Sequence, residues 1–216
     1  MKLLRIPTNK PIICYDNVGI FSSPRVAWML KYFGATNVRI LNGGFKKWKA
    51  EGRNTVKSPP RAPMSSSRDG AEWTNEGTYD FIVNEPNLAI TDINQVHRTA
   101  YYLSNKATNM QIIDARAPPR FNGEVDEPRK GVRSGSITGS KNVFFNDLIN
   151  KDEGTFKSDT ELAKIFLDKD IDTTVSTINS CGSGVTACVV DVALRMMGAE
   201  KSSVYDGSWT EYVSII

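Results

Sequence analysis

The hydrophobic pattern of the C-terminal part of the chain predicts a strand, a tight loop and a buried helix. Residues 175–179 (VSTIN) have the composition of a strand, and residues 186–198 (TACVVDVALRMMG) form a nearly continuous apolar run that ends in glycine. Such a run is typical of a helix that is buried almost all round and closed by a glycine C-cap. A strand, loop and buried helix in this order predict a βα unit of a parallel sheet.

Further strands and helices are predicted from about residue 90 onward. Short apolar runs predict strands over residues 110–115 (MQIIDA) and 137–145 (ITGSKNVFF). Amphipathic patterns predict helices over residues 94–103 (NQVHRTAYYL) and 159–169 (DTELAKIFLDK). Helices and strands therefore alternate over the length of one compact α/β domain.

The chain also contains an internal repeat. Residues 19–48 align without a gap on residues 183–212 at a constant offset of 164, so that Leu30 falls opposite Leu194. Few residues are identical, but both copies show a small-residue loop, an apolar helix ended by glycine, a β-like run and a turn with an aromatic residue. A constant offset of this kind indicates a duplicated domain.

The segment between the copies is poor in apolar residues and rich in proline, serine and charge, which predicts a linker. We therefore expect a partial first domain at residues 1–56, a linker at 57–88 and a complete domain at 89–216. The first copy is less than half as long as the second, so we expect it to lack the elements that should precede its βα unit. A half sheet of this kind would expose an unpaired edge.

Composition narrows the classes of function. The 216 residues are 40% hydrophobic and 24% charged with a net charge of +3, which is typical of a globular protein and too balanced for a nucleic-acid or membrane-surface binder. No apolar stretch reaches the roughly 18 residues of a membrane span. Three cysteines form no even disulfide framework and favour a reducing compartment.

The loop at residues 179–186 (NSCGSGVT) carries the candidate chemistry, because it places Cys181 between a strand end and a glycine-rich turn into a helix. Backbone N–H groups of such a turn point inward, and the positive end of the helix dipole adds to their field. An anionic sulfur is stabilised there, both as a nucleophilic thiolate and as the outer sulfur of a persulfide.

Other interpretations of Cys181 are weaker. A cysteine-based phosphatase needs an arginine six positions after the nucleophile, and that position is Ala187. A thiol protease needs a histidine base, and the only histidine is His97, on a predicted helix before the first strand of the domain. A buried small hydrophobe is the ordinary fate of a free cysteine, and we expect it for Cys14 and Cys188.

The motifs resemble those of a known family. CGSGVTA followed by an apolar helix and VYDGSWTEY resembles the active-site loop and closing signature of tandem rhodanese-domain proteins, in the branch of 3-mercaptopyruvate and thiosulfate sulfurtransferases. LNGGFKKW is similar to the matching segment of the family's non-catalytic first domain, where Asn17 falls opposite Cys181 at the repeat offset. IIDARAPPRFNG, EPRKGVRSG and GSITGSKNVFF match the first catalytic-domain strand and the stretch after it. The resemblance implies a rhodanese-like α/β fold, a parallel sheet flanked by helices, with one complete catalytic domain and a partial first copy.

The resemblance also implies a mechanism and a set of site residues. Cys181 would take sulfur from a donor as a persulfide and pass it to a thiol or cyanide acceptor. Arg120 and Arg129 match the arginines that grip the carboxylate and ketone of mercaptopyruvate, and Ser183 matches a serine of a proton relay. The remaining loop residues expected to contact substrate are Gly182, Gly184, Val185 and Thr186. Because the loop brings no basic side chain, a monoanionic carboxylate fits better than dianionic thiosulfate, and Thr186 is expected to cap the helix or steady the loop.

The expected partners are a small sulfur donor and, as acceptor, reduced thioredoxin or a small thiol. No metal, organic cofactor, nucleic acid or membrane is expected, and the family resemblance implies a cytosolic or mitochondrial location. The family's relay His and Asp come from an early part of the first domain that has no counterpart here, and Ser136 and Thr138 stand where the family usually has His and Pro. The alternative hypothesis is therefore a truncated, non-catalytic module that binds sulfur or a protein partner.

Overall fold

The computed structural model describes residues 10–57 and 89–214. We call the first range the first unit and the second range the second unit. The first unit contains a two-stranded parallel sheet and two helices. Its elements in chain order are β1 (Ile12–Cys14), α1 (Ser23–Tyr32), β2 (Val38–Ile40) and α2 (Gly44–Ala50).

The second unit is an α/β layer structure around a five-stranded parallel sheet, whose spatial order is β3-β7-β6-β4-β5. Its elements in chain order are β3 (Ala89–Thr91), α3 (Ile93–Ser104), β4 (Gln111–Asp114), α4 (Pro118–Phe121), β5 (Lys141–Asn142), a 3-10 helix (Phe145–Leu148), α5 (Asp159–Asp168), β6 (Thr177–Ser180), α6 (Ala187–Met196), β7 (Ser202–Tyr205) and α7 (Ser208–Ser214). The parallel sheet flanked by helices confirms the predicted fold class.

Local sequence signals account for the ends of these helices. Helix α3 begins after Asp92, whose carboxylate accepts the N–H of Gln95 at 2.8 Å. Helix α5 begins with a capping box between Ser158 and Glu161. Helix α6 is followed by Gly198 at a φ of +83°, the left-handed conformation that glycine adopts without strain. The helices predicted over 94–103, 159–169 and 186–198 are thus confirmed, with ends shifted by one or two residues.

The predicted strand over 137–145 is largely wrong. Within this segment only Lys141–Asn142 form a strand, which pairs with β4 at the edge of the sheet. The reason lies upstream of the pairing, where Gly139 has a φ of +76° and the N–H of Ser140 bonds back to the carbonyl of Ile137, so the chain turns. After β5 the chain enters the 3-10 helix.

The internal repeat is confirmed by the helices and corrected in the loop. Helices α1 and α2 and strand β2 coincide with α6, α7 and β7 at the offset of 164. Strand β1 does not, since Ile12 pairs with Val38 as Thr177 pairs with Ser202, which is an offset of 165. The first loop is therefore one residue longer, and Asp16, rather than Asn17, stands opposite Cys181.

The two units pack on each other through equivalent helices. Helix α1 contacts α6, and Ile20 and Trp28 of the first unit lie in the same hydrophobic core as Cys188 and Leu194. None of the described helices is long and apolar enough to cross a membrane. The predicted linker at 57–88 lies, apart from Lys57, outside the described residues, and the predicted domain limits remain a prediction.

Candidate active site

Cys181 follows the carboxyl end of the central strand β6 and is only 2% exposed. Its backbone is held by Ser208, whose hydroxyl accepts the N–H groups of Cys181 and Gly184 at 3.1 and 2.9 Å and donates to the carbonyl of Tyr205 at 2.9 Å. The same hydroxyl oxygen lies 3.9 Å from the Cys181 sulfur. Ser208 also stands at a φ of +52°, an uncommon conformation for a residue with a side chain. A fully buried hydroxyl thus fixes the shape of the Cys181 loop.

The remaining N–H groups of this loop form a cradle at the N-terminus of α6. In the described part of the chain they have no acceptor. They belong to Gly182, Ser183, Val185, Thr186 and Ala187. Free N–H groups at a helix N-terminus favour an anion, because the helix dipole adds to their own partial charges. The expected cap by Thr186 is wrong in its detail, since Thr186 is the N-cap residue but its side chain makes no capping hydrogen bond.

The first unit shows this kind of cradle with an anion in it. One oxygen of the Asp16 carboxylate accepts the N–H groups of Phe21, Ser22 and Ser23 at 3.2, 3.0 and 2.7 Å. At the repeat offset these three donors correspond to residues 185–187 of the second loop. The fold thus binds a carboxylate in one copy with the N–H groups that are free in the other.

A cleft of about 340 Å³ opens over Cys181 between the two units. Its side chains include a polar group (Arg116, Arg120, Glu127, Arg129 and Thr210) and an aromatic group (Phe21, Phe144 and Phe145). The predicted residues Arg120, Arg129, Gly182, Ser183, Val185 and Thr186 all line this cleft. Gly184 does not, because its N–H is bonded to Ser208 and a Cβ added to it would lie 2.6 Å from the carbonyl oxygen of Asp206.

The two predicted arginines differ in their surroundings. Arg120 donates from Nε and Nη2 to the two carboxylate oxygens of Glu127, at 3.0 and 2.5 Å. A Cβ added to Gly182 would lie 2.9 Å from Nη2 of Arg120, so this guanidinium borders the Cys181 loop directly. Arg129 is exposed and donates to the hydroxyl of Thr210 at 2.9 Å. Arg120 is therefore held rigidly, whereas Arg129 stands at the open side.

Behind Arg120 lies a buried ion cluster that the sequence analysis missed. Arg116 is 2% exposed and binds the Asp114 carboxylate, a Glu127 oxygen at 2.8 Å and the Gly135 carbonyl. Burial alone would raise the pKa of Glu127, but the hydrogen bond from Arg120 and the charges of both arginines together lower it. Burial opposes the charge of Arg116, yet its two carboxylate partners raise the pKa of this guanidinium. The ion pairs therefore favour the charged forms of Glu127 and Arg116.

The first unit supports the Cys181 loop from the rear. Arg25 Nη1 lies 2.5 Å from a carboxylate oxygen of Asp206 and 3.5 Å from the carbonyl oxygen of Gly184. Its guanidinium also stacks over the ring of Trp28 at 5.0 Å. The only sequence signal for this contact was the acidic residue in the closing motif VYDGSW, which does not identify its partner.

The other thiols and the histidine lie apart from the cradle. Cys14 and Cys188 are buried, and burial raises the pKa of both thiols, as expected for small core residues. Cys188 lies behind the loop, with its sulfur 3.3 Å from the Gly184 carbonyl oxygen. The ring of His97 stacks on Tyr212 with centroids 4.7 Å apart, away from the cleft lining.

Comparison with known proteins gives consistent matches. The family described as "Rhodanese-like domain" matches residues 1–51 and 99–215. The 3-mercaptopyruvate sulfurtransferase of Escherichia coli K12 is 37% identical over 213 residues, which cover 98% of this chain and 68% of that protein. The mitochondrial thiosulfate/3-mercaptopyruvate sulfurtransferase 1 of Arabidopsis thaliana is 36% identical over 216 residues, and this chain spans 56% of its length.

Solved structures agree with these sequence matches. The crystal structure of SseA from Escherichia coli, described as showing the "rhodanese" fold of 3-mercaptopyruvate sulfotransferases, superposes with a TM-score of 0.71 at 34% identity. The match covers 95% of this chain and 69% of that one. Sequence and structure therefore point to the same group of relatives.

Proposed function

Since this chain belongs to the rhodanese-like domain family, and its curated relatives are sulfurtransferases, we propose that it moves sulfane sulfur from a small anionic donor to an acceptor through a persulfide on Cys181. The observation that carries the proposal is the cradle of N–H groups around the Cys181 loop, which have no acceptor in the described residues and belong, except for that of Ala187, to residues that line the cleft. Such a cradle stabilises the attacking thiolate and then the outer sulfur of the persulfide.

The reaction consists of two displacements at sulfur. The Cys181 thiolate attacks the donor sulfur, and either the C–S bond of 3-mercaptopyruvate or the S–S bond of thiosulfate breaks. Pyruvate leaves as its enolate and takes a proton, whereas sulfite leaves as the anion. An acceptor thiolate or cyanide then attacks the outer sulfur, and Cys181 returns as the thiolate.

The arginines, the serine and the glycines of the site have proposed parts in this reaction. Arg120 and Arg129 bind the donor carboxylate, because a planar guanidinium matches a carboxylate. Ser183 lines the cleft and delivers the proton that the enolate requires. Gly182 leaves room for the guanidinium of Arg120, and Gly184 holds the loop to Ser208.

A sulfur donor and a thiol acceptor follow from the family in general terms. We further propose 3-mercaptopyruvate as the preferred donor, thioredoxin or a small thiol as the acceptor, and a cytosolic or mitochondrial location. The predicted division into a partial first domain (1–56), a linker (57–88) and a catalytic domain (89–216) is also proposed. The comparisons favour this enzyme over the non-catalytic module, since the relatives named above are enzymes.

Intact-protein mass spectrometry tests the proposal. The reduced chain is exposed to 3-mercaptopyruvate or thiosulfate, beside a Cys181→Ser variant and a Cys14→Ala control. We expect a gain of one sulfur atom in the wild type and the control and none in Cys181→Ser. A wild type that gains no sulfur from either donor would favour the non-catalytic module instead.

A further inference from the structure

The charged groups of the cleft can be counted, because their partners are fixed. Asp114 and Glu127 contribute two negative charges, and Arg116 and Arg120 two positive charges, in one connected cluster. The Glu127 side chain is 3% exposed, so solvent screens it little. The cluster has no net charge.

Four charged residues line the described cleft, and Arg129 is the one among them that has no carboxylate partner. Glu127 also occupies one edge of the Arg120 guanidinium, through Nε and one N–H group of Nη2. The N–H groups of Nη1 and the second N–H group of Nη2 stay available to a ligand, but the charge of this guanidinium is already balanced by Glu127. The cleft thus offers one net positive charge and the neutral N–H groups of the loop.

We propose that Glu127 determines donor specificity by cancelling one arginine charge, which matches the cleft to a donor with a single negative charge and disfavours a dianion. This inference rests on the proposed function and deepens it. A dianionic donor such as thiosulfate gains twice as much from each added positive charge as a monoanionic donor such as 3-mercaptopyruvate. Specificity then depends on a carboxylate that need not touch the substrate.

Glu127→Gln tests the proposal, because the amide has the shape of the carboxylate without its charge. We expect the ratio of kcat/KM for thiosulfate to kcat/KM for 3-mercaptopyruvate to rise about tenfold, the effect of one charge at close range in a partly screened cleft. Glu124→Gln is the matched control, since it removes one negative charge from an exposed side chain of the same segment. Its ratio should stay within about twofold of the wild type.

A second variant separates charge from position. Glu127→Asp keeps the charge but withdraws it from Arg120, and we expect its donor ratio to stay near that of the wild type. If Glu127→Asp shifts the ratio as much as Glu127→Gln, position rather than charge decides and the proposal is overturned. Thermal unfolding of each variant identifies any loss of fold.

A binding measurement decides the proposal even if no variant transfers sulfur. Calorimetric titration with sulfate and with pyruvate uses unreactive anions of charge −2 and −1. Glu127→Gln should bind sulfate about tenfold more tightly relative to pyruvate than the wild type does. An unchanged ratio would overturn the specificity role, whereas the absence of any persulfide in the wild type would overturn the proposed function alone.

Discussion

The two loops of the repeat share a backbone plan and differ in what fills it. In the first loop the Asp16 carboxylate accepts three N–H groups and closes the cradle from within. In the second loop the equivalent position is Cys181, whose short side chain leaves the cradle open to the cleft. The anion-binding geometry therefore belongs to the fold, whereas the proposed activity depends on one residue at the strand end.

The strongest test of this comparison is to give the second loop the residue of the first. Cys181→Asp should abolish sulfur uptake, by more than about a thousandfold, because the nucleophile is gone. It should also abolish sulfate binding, since the new carboxylate fills the cradle. Mass spectrometry and calorimetry measure the two effects, and Cys181→Ala should retain sulfate binding. A Cys181→Asp chain that still binds sulfate would contradict the equivalence of the loops.

Removing the carboxylate from the first loop tests whether Asp16 closes it. Asp16→Ala removes three hydrogen bonds to an ionised acceptor, and we expect the free energy of unfolding to fall by about 2–3 kcal/mol. Urea denaturation measures it, with the exposed Asp126→Ala as a control that should change stability by less than about 0.5 kcal/mol. Equal stability of the two variants would show that the Asp16 contacts contribute little.

The smallest effect concerns Glu127, the buried carboxylate that the second unit contributes to the cleft. Arg120 and Arg116 lower the pKa of Glu127 in the folded state. The contribution of Glu127 to the free energy of unfolding is therefore fully present above the unfolded pKa of about 4.3, and it is lost as the pH falls through the folded pKa. Wild type should therefore lose more stability than Glu127→Gln as the pH falls below about 5. Urea midpoints at several pH values measure this, and parallel curves would contradict it.

The sequence predicted the elements of the repeat better than its loops. The apolar pattern of α1 and α6 and the following glycines fix those helices, because burial and a C-cap are local in sequence. The extra residue after β1 is invisible to an alignment without gaps, so Asn17 was matched to Cys181 in place of Asp16. The register of β1 with β2 identifies Asp16 as the residue equivalent to Cys181. This register is set by the pairing of the two strands in the sheet, which a sequence alignment does not contain.

The candidate site was predictable where its residues are consecutive. The cradle follows from a glycine-rich turn between strand and helix, and residues 181–186 could be found from that pattern alone. The Glu127 cluster could not, since it joins residues that lie apart in sequence and only tertiary packing brings together. The role of Ser208 could not be predicted for another reason. Nothing in its sequence neighbourhood indicates a residue with a left-handed backbone whose hydroxyl accepts two N–H groups.

Arg25 has a consequence for how this protein can evolve. Its guanidinium belongs to the first unit, but it contacts the Asp206 carboxylate and the Gly184 carbonyl, which belong to the second unit. A recombination event that carried residues 89–214 alone into another gene would leave Asp206 without its cation beside the Cys181 loop. Water would solvate the carboxylate of Asp206, whose side chain is 46% exposed, but the Gly184 carbonyl of the loop would lose its guanidinium neighbour.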